Sequence, residues 1–255
     1  MPVEMKLTAL PDFPLVKPGD SLPGLIKASL NQAEMSLQDG DILVLAQKIV
    51  SKAEDRLVDL NQVHPGEAAE ALAAETGKDA RLLDVILGES RNIIRKGPGL
   101  VIVQHKLGFI CANAGVDHSN VQGYEGGDWV LMLPEDPDAS AQRIRAALEL
   151  TYGVRIGVLI IDSHGRAWRN GTVGIAIGVA GIQALQDLRG HPDLFGEILR
   201  STQVGVADEL AAAASILMGQ ADEGRPVILV RGWPHAPGEG LLPDLLRPEE
   251  MDLFR

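Results

Sequence analysis

The sequence predicts a mixed α/β protein of the α+β kind, with mixed sheets and flanking helices. Three observations carry this. Short aliphatic runs recur along the chain, each stopped by a polar or glycine-rich stretch. Alanine-rich segments of helical composition lie between them. The two alternate without the strict order of a βαβ protein. A chain of 255 residues is ample for a large core. With only 4% aromatic residues, that core must be built from Val, Ile, Leu and Ala.

Taken in order, residues 41–50 (DILVLAQKIV) follow the turn signal Asp39-Gly40 and predict a largely buried strand running into SKAEDR. Residues 66–75, rich in Ala and Glu, predict a helix. Residues 100–103 and 109–111 predict the two arms of a hairpin leading into CANAGVDHSN. Residues 138–150 predict a helix with Asp138 or Ser140 as N-cap and Ile144 and Leu148 on one face. Residues 154–161 (VRIGVLII) are the strongest strand signal, stopping at DSHGRAWRNG. The series GTVGIAIGVAG places Gly171, Gly174, Gly178 and Gly181 near one helical face, where they would permit close packing. It is not the dinucleotide fingerprint. Residues 204–218 predict a helix closed by Gly219, and residues 226–230 a strand with Pro at its first position. GWPHAPGEG predicts a loop. With no internal repeat or linker, residues 1–255 are expected to form a single module, divisible at most into two subdomains.

The formal charge of −12 disfavours nonspecific binding to nucleic acid or an anionic membrane, since the basic residues are scattered. Phosphorylated ligands would need local handling, with divalent cations offsetting charge. One cysteine excludes an internal disulfide framework. No basic start precedes an apolar core at the N-terminus, and no run approaches the roughly 20 apolar residues of a membrane span. A cytoplasmic protein is expected.

Two triplets could carry chemistry. Asp117-His118-Ser119 and Asp162-Ser163-His164 each follow a buried strand in what reads as a polar loop. Two carboxylates brought together there would repel unless a proton or cation sat between them. Asp, Ser hydroxyl and Asn amide oxygens suit magnesium or manganese. The alternative is that both aspartates only make Asx-turns. Lys52, just after the first strand, could meet a phosphate or be a solvated cation. GQADEGRP has the glycine spacing of a phosphate loop, but Arg-Pro replaces Lys-Ser/Thr and the element order is reversed, so it is no Walker motif. Cys111, ending an apolar strand, reads as a small core residue.

GDILVLAQKIVSKAED, CANAGVDHSNV, IIDSHGRAWRNGTVGIAIGVAG and VADELAAAASILMGQADEGRPVILVRG resemble, in that order and spacing, the coenzyme F-420-0:gamma-glutamyl ligases. The similarity runs from about Phe13 to Gly232. Some relatives carry a second, flavin-binding domain at the C-terminus; none is expected here. The resemblance implies a family-specific ligase fold and GTP-dependent amide synthesis. The lactyl carboxylate of a 5-deazaflavin precursor would take the γ-phosphate of GTP, and L-glutamate would displace phosphate from the acyl phosphate. It implies Asp117 and Asp162 as catalytic ligands of one divalent metal, Mg or Mn, and Ser163 with Gln220 at a second. Nucleotide contacts fall to Phe13, Pro14, Leu15, Val16, Gln47, Lys48, Lys52 and Asn120. They continue through Met218, Gly219, Gln220, Ala221, Asp222, Glu223, Gly224 and Arg225. Archaeal relatives can have Glu where Gln220 stands, so the second site is expected to be looser, or to use Asp222 or Glu223. The resemblance also implies a homodimer with sites near the interface and leaves room for potassium. Other functions on this scaffold would be nucleotide- and metal-dependent regulation, or metal-dependent phosphate-ester hydrolysis.

Overall fold

The computed structural model describes residues 3–121 and 126–253. Its strands and helices, in chain order, begin with β1 (Lys6–Ala9), α1 (Leu22–Gln32), β2 (Ile42–Ala46), α2 (Gln47–Ala53) and β3 (Leu57–Asp59). Then come α3 (Glu67–Thr76), α4 (Ala80–Gly88), β4 (Ser90–Gly97), β5 (Leu100–His105), β6 (Ile110–Ala112) and β7 (Trp129–Leu131). The last part holds α5 (Pro137–Tyr152), β8 (Gly157–Arg166), β9 (Arg169–Ala180), β10 (Gln186–Asp187), β11 (Gln203–Val204), α6 (Val206–Met218) and β12 (Val227–Arg231). The expected mixed α/β architecture is what forms.

The central sheet has the order β1-β12-β2-β8-β9, with only β2 and β8 parallel. Its middle strands are apolar on both faces because both faces are covered. Leu43, Leu45, Val158 and Ile160 pack with residues of α1, α2 and α5 on one side. Ile42, Val44, Leu159 and Ile161 pack with Ala207, Leu210, Ala211 and Ala214 of α6 on the other. A smaller sheet, β4-β5-β6, forms a third core with α3 and α4.

Several expectations need correction. The run over 41–50 is not one strand: β2 ends at Ala46 and the chain turns directly into α2, which buries Ile49 and Val50, so Lys52 lies on a helix. Residues 162–166 are not a loop, because β8 continues through them and pairs with β9 out to Arg166 and Arg169. Gly171, Gly174 and Gly178 lie on strand β9, and Gly181 just past its end, not on a helix. Close packing is nonetheless the role of Gly174, Gly178 and Gly181, while Gly171 has open space around it. A Cβ on Gly174 would lie 2.6 Å from the Ala211 carbonyl oxygen of α6, and one on Gly178 only 2.5 Å from the Pro137 oxygen of α5. These glycines face opposite layers because Ile177 is an extra residue between the pairs Ile160–Gly178 and Ile161–Ala176. The N-cap of α5 is Asp136, whose carboxylate accepts from the Ala139 N–H. Asp138 instead accepts from the backbone N–H groups of Val179 and Leu242. The last long helix starts at Val206, after β11.

Candidate active site

Topology brings four distant segments to one edge of the central sheet. Parallel strands β2 and β8 both run out there, an edge where open α/β sheets commonly hold ligands. The antiparallel β12 enters at the same edge, with the Ala46 N–H donating to the Pro226 oxygen at 2.9 Å. Residues after β1 leave there as well, since the Leu10 N–H donates to the Val227 oxygen. The result is a cleft of about 1330 Å³, above the usual range for one small ligand. All the metal and nucleotide residues that the resemblance implies line it: 13–16, Gln47, Lys48, Lys52, Asp117, Asn120, Asp162, Ser163 and 218–225.

Asp117 follows a turn in which Asn113 and Ala114 take left-handed φ values of 50° and 53°, and its backbone bridges to Leu131. The Gln47 amide donates to its Oδ2 at 3.0 Å, and the Lys48 ammonium lies 3.4 Å from the same oxygen. Gln47 is itself fixed. It is buried, and the Ser51 hydroxyl donates to its Oε1 at 2.9 Å, which turns the amide nitrogen toward Asp117. Burial pushes the Asp117 carboxyl above its ordinary range; the negative charge of Asp162 adds to this, and Lys48 opposes it. The Asp162 charge therefore reaches Asp117 across the cleft.

Asp162 is held differently. Because it lies on a strand, His164 two residues on shares its face, and the two meet at 2.9 Å between Nε2 and Oδ2. His164 is buried, edge-on to the ring of Phe109 at 5.2 Å, and Phe109 stacks on His105. The apparent likeness of the two triplets ends here, since His118 turns away to Asp128 at 3.0 Å. Sequence reasoning noted His164 only as a neighbour; had the apolar run been extended as a strand, alternation would have paired it with Asp162. Ser163 projects from the other face, where its hydroxyl donates to Gln220 Oε1 at 2.8 Å.

The remaining residues clamp loops together. Lys48 donates to the Ser119 carbonyl and hydroxyl, and Lys52 to the Asn120 carbonyl at 2.8 Å. The Asn120 amide then donates to the Ala221 oxygen at 2.9 Å, which ties the 117–121 loop to the 218–225 loop. Burial, and then the nearby Lys48 charge, lower the Lys52 pKa. In the 218–225 loop Gly219 has φ of 75°, and Glu223 folds over it to accept from the Ala221 N–H at 2.8 Å. Backbone N–H donation lowers the Glu223 pKa. Cys111 also borders the cleft, but burial and then the Asp162 charge push its thiol up to about 12, so it stays protonated and non-nucleophilic.

The hard-oxygen set, two carboxylates with a hydroxyl and an amide oxygen close by, fits a magnesium-like ion that keeps several waters. Among the described residues no group of three or more His, Cys, Asp or Glu could hold a metal, so an ion here would draw most of its ligands from neutral oxygens and water.

The chain matches the family model described as F420-0:Gamma-glutamyl ligase over residues 12–232. It is 46% identical over 253 residues to the Coenzyme F420:L-glutamate ligase of Methanothermobacter thermautotrophicus, covering 98% of this chain and 99% of that one. Identity to the protein of the same name from Methanocaldococcus jannaschii is 45% over 244 residues, 96% of this chain and 94% of that one. For the one from Methanopyrus kandleri it is 47% over 218 residues, 85% and 82% of the two chains. The chain belongs to the F420-0:Gamma-glutamyl ligase family.

Proposed function

We propose that the cleft joins L-glutamate to the terminal carboxylate of a 5-deazaflavin coenzyme precursor, using GTP. The observation that supports this best is that Asp117 and Asp162, from distant parts of the chain, line the same cleft. They share one cleft large enough for a nucleotide and a second substrate. A carboxylate is a poor electrophile, so activation must supply a leaving group. The γ-phosphate passes from GTP to the acceptor carboxylate oxygen, giving an acyl phosphate and GDP. The glutamate amine then forms the amide bond as phosphate leaves with the C–O bonding pair, and the amine loses a proton. Further rounds would add glutamate through its γ-carboxyl.

Asp117 and Asp162 would hold one Mg or Mn ion, and Ser163 with Gln220 a second, more loosely bound ion. Bound divalent ions would offset the phosphate charge and keep the oxygens in line for transfer. Gln47 and His164 keep the two carboxylates oriented for this. Lys48 and Lys52 face the nucleotide as point charges, residues 13–16 flank it, and residues 218–225 wrap it. A cytoplasmic homodimer of single-module chains, with potassium as an assisting cation, completes the proposal.

Incubating the chain with precursor, GTP, Mg or Mn, and glutamate should yield products heavier by whole glutamyl units in mass spectrometry. Phosphate release that ignores precursor and glutamate would instead make the protein a phosphohydrolase. GTP binding without any turnover would make it a regulatory relative.

A further inference from the structure

The hairpin joining β8 to β9 runs past the sheet, and residues 165–172 are all exposed. Three residues at its tip combine features that folding alone disfavours. Trp168 is 74% exposed, an unusual placement for the largest apolar side chain. Its φ of 64° is left-handed, where glycine or asparagine is usual and a bulky residue is an outlier. Arg166 and Arg169 are register partners, which sets two like charges opposite each other. Retained local costs of this kind cluster where ligands are held. The same strand carries Asp162 and Ser163, and its residues 162–165 line the cleft. At the usual rise per residue, Arg166 lies about 13 Å along the strand from Asp162.

We propose that this tip is the docking platform for the aromatic end of the acceptor, with Trp168 stacking on its fused ring and Arg166 and Arg169 selecting a ligand that also carries negative charge. The inference rests on the acceptor chemistry proposed above. A molecule with a planar ring at one end and its reacting carboxylate at the other needs two holding points well apart, and β8 supplies both. An indole is a sequence-tolerant stacking surface, and guanidinium groups add to it both charge and a planar face. In a chain with formal charge −12, two arginines beside an exposed indole distinguish this tip from the acidic average of the molecule.

The test titrates the full chain into the fluorescent deazaflavin precursor and follows anisotropy, with GTP affinity and oligomeric state measured separately. Trp168→Ala should weaken precursor binding about tenfold, the usual effect of removing a stacking side chain, and should raise KM without lowering kcat. Trp168→Phe, which keeps a π face, should stay within about twofold of wild type. GTP affinity should not change in either variant. Equal precursor affinity in wild type and Trp168→Ala would overturn the platform and leave the ligase reading standing. A parallel loss of GTP affinity would assign the effect to the whole cleft and likewise overturn it. So would a changed oligomeric state with unaltered precursor binding, which would make the tip a contact between copies. A wild-type chain that neither binds precursor nor makes glutamyl product would end both proposals.

Discussion

Asp117 and Asp162 are each held by a buried neighbour, Gln47 and His164, and those neighbours are separable from the carboxylates by mutation. Asp117→Asn and Asp162→Asn should each abolish turnover with an unchanged circular dichroism spectrum; activity in both would show that the metal site is elsewhere. His164 is subtler, because it acts only through Asp162. His164→Ala should lower kcat/KM by roughly 10- to 100-fold, the usual loss when a ligand's supporting partner is removed. Gln at that position can still present an amide N–H to Asp162 and should recover most of the loss, whereas a merely space-filling role would favour Leu over Gln. His105 makes a different kind of prediction. Burial first, and then the surrounding cations, push its pKa down to about 4, and its Nδ1 accepts from the Leu107 N–H. The folded protein thus binds fewer protons than the unfolded chain between about pH 6.5 and 4. Stability must fall as pH drops through that window, by roughly 3 kcal/mol from this group. His105→Asn, whose Oδ1 can still accept from Leu107, should flatten the acid limb of denaturant-unfolding free energies by about that amount.

Strand β9 shows how far the elements could be read from the sequence. The glycines announced close packing correctly but on the wrong element, because spacings of three and four suit a helix and the extra residue Ile177 breaks the strand period that would have corrected this. Gly178→Ala places a methyl against backbone of α5, which cannot rotate aside. It should cost about 2 kcal/mol, or roughly 4–8 °C in melting temperature for a chain this long. Gly171→Ala, with open space around the added carbon, should cost only the strain of a φ of 82°. Wild-type melting in Gly178→Ala would show that the layers can separate locally. Buried strands β2, β8 and β12 were legible because four or more aliphatic residues run together. Their ends were not. β8 continues into polar residues because β9 still pairs with it there, and pairing across a hairpin leaves no mark in one strand's own composition. Helix α1 escaped because Pro23 and Gly24 open it, residues tolerated in a first turn but read as breakers. The site was legible as residue types, Asp117, Asp162 and the 218–225 loop. How they are held was not, since Gln47 and Asn120 find their partners only through the fold.

At the scale of the whole molecule, the cleft is closed largely by chain segments gripping one another. Lys48 and Lys52 hold the 117–121 loop, and Asn120 links that loop to the one before β12. A triphosphate entering between them would compete for the lysine ammonium groups, while its own charge would meet two aspartates in a chain of formal charge −12. Nucleotide alone should therefore bind poorly, because the phosphate oxygens would face carboxylates with nothing between. Metal alone should also bind poorly, since two carboxylates and neutral oxygens leave most of a hard cation's ligands to water. Together each removes the other's unfavourable charge. The coupling must appear in stability, because a ligand that binds only the folded state at 100 times its Kd adds about 2.7 kcal/mol. In a thermal melt, GTP with Mg or Mn should raise the transition by roughly 5–10 °C, against a degree or two for either alone. In Asp162→Asn that excess over the separate effects should vanish, since one side of the shared charge is gone. Additive shifts in the wild type would mean that nucleotide and metal occupy unrelated sites, and the two aspartates would then lose their claim to hold a cation for phosphate transfer.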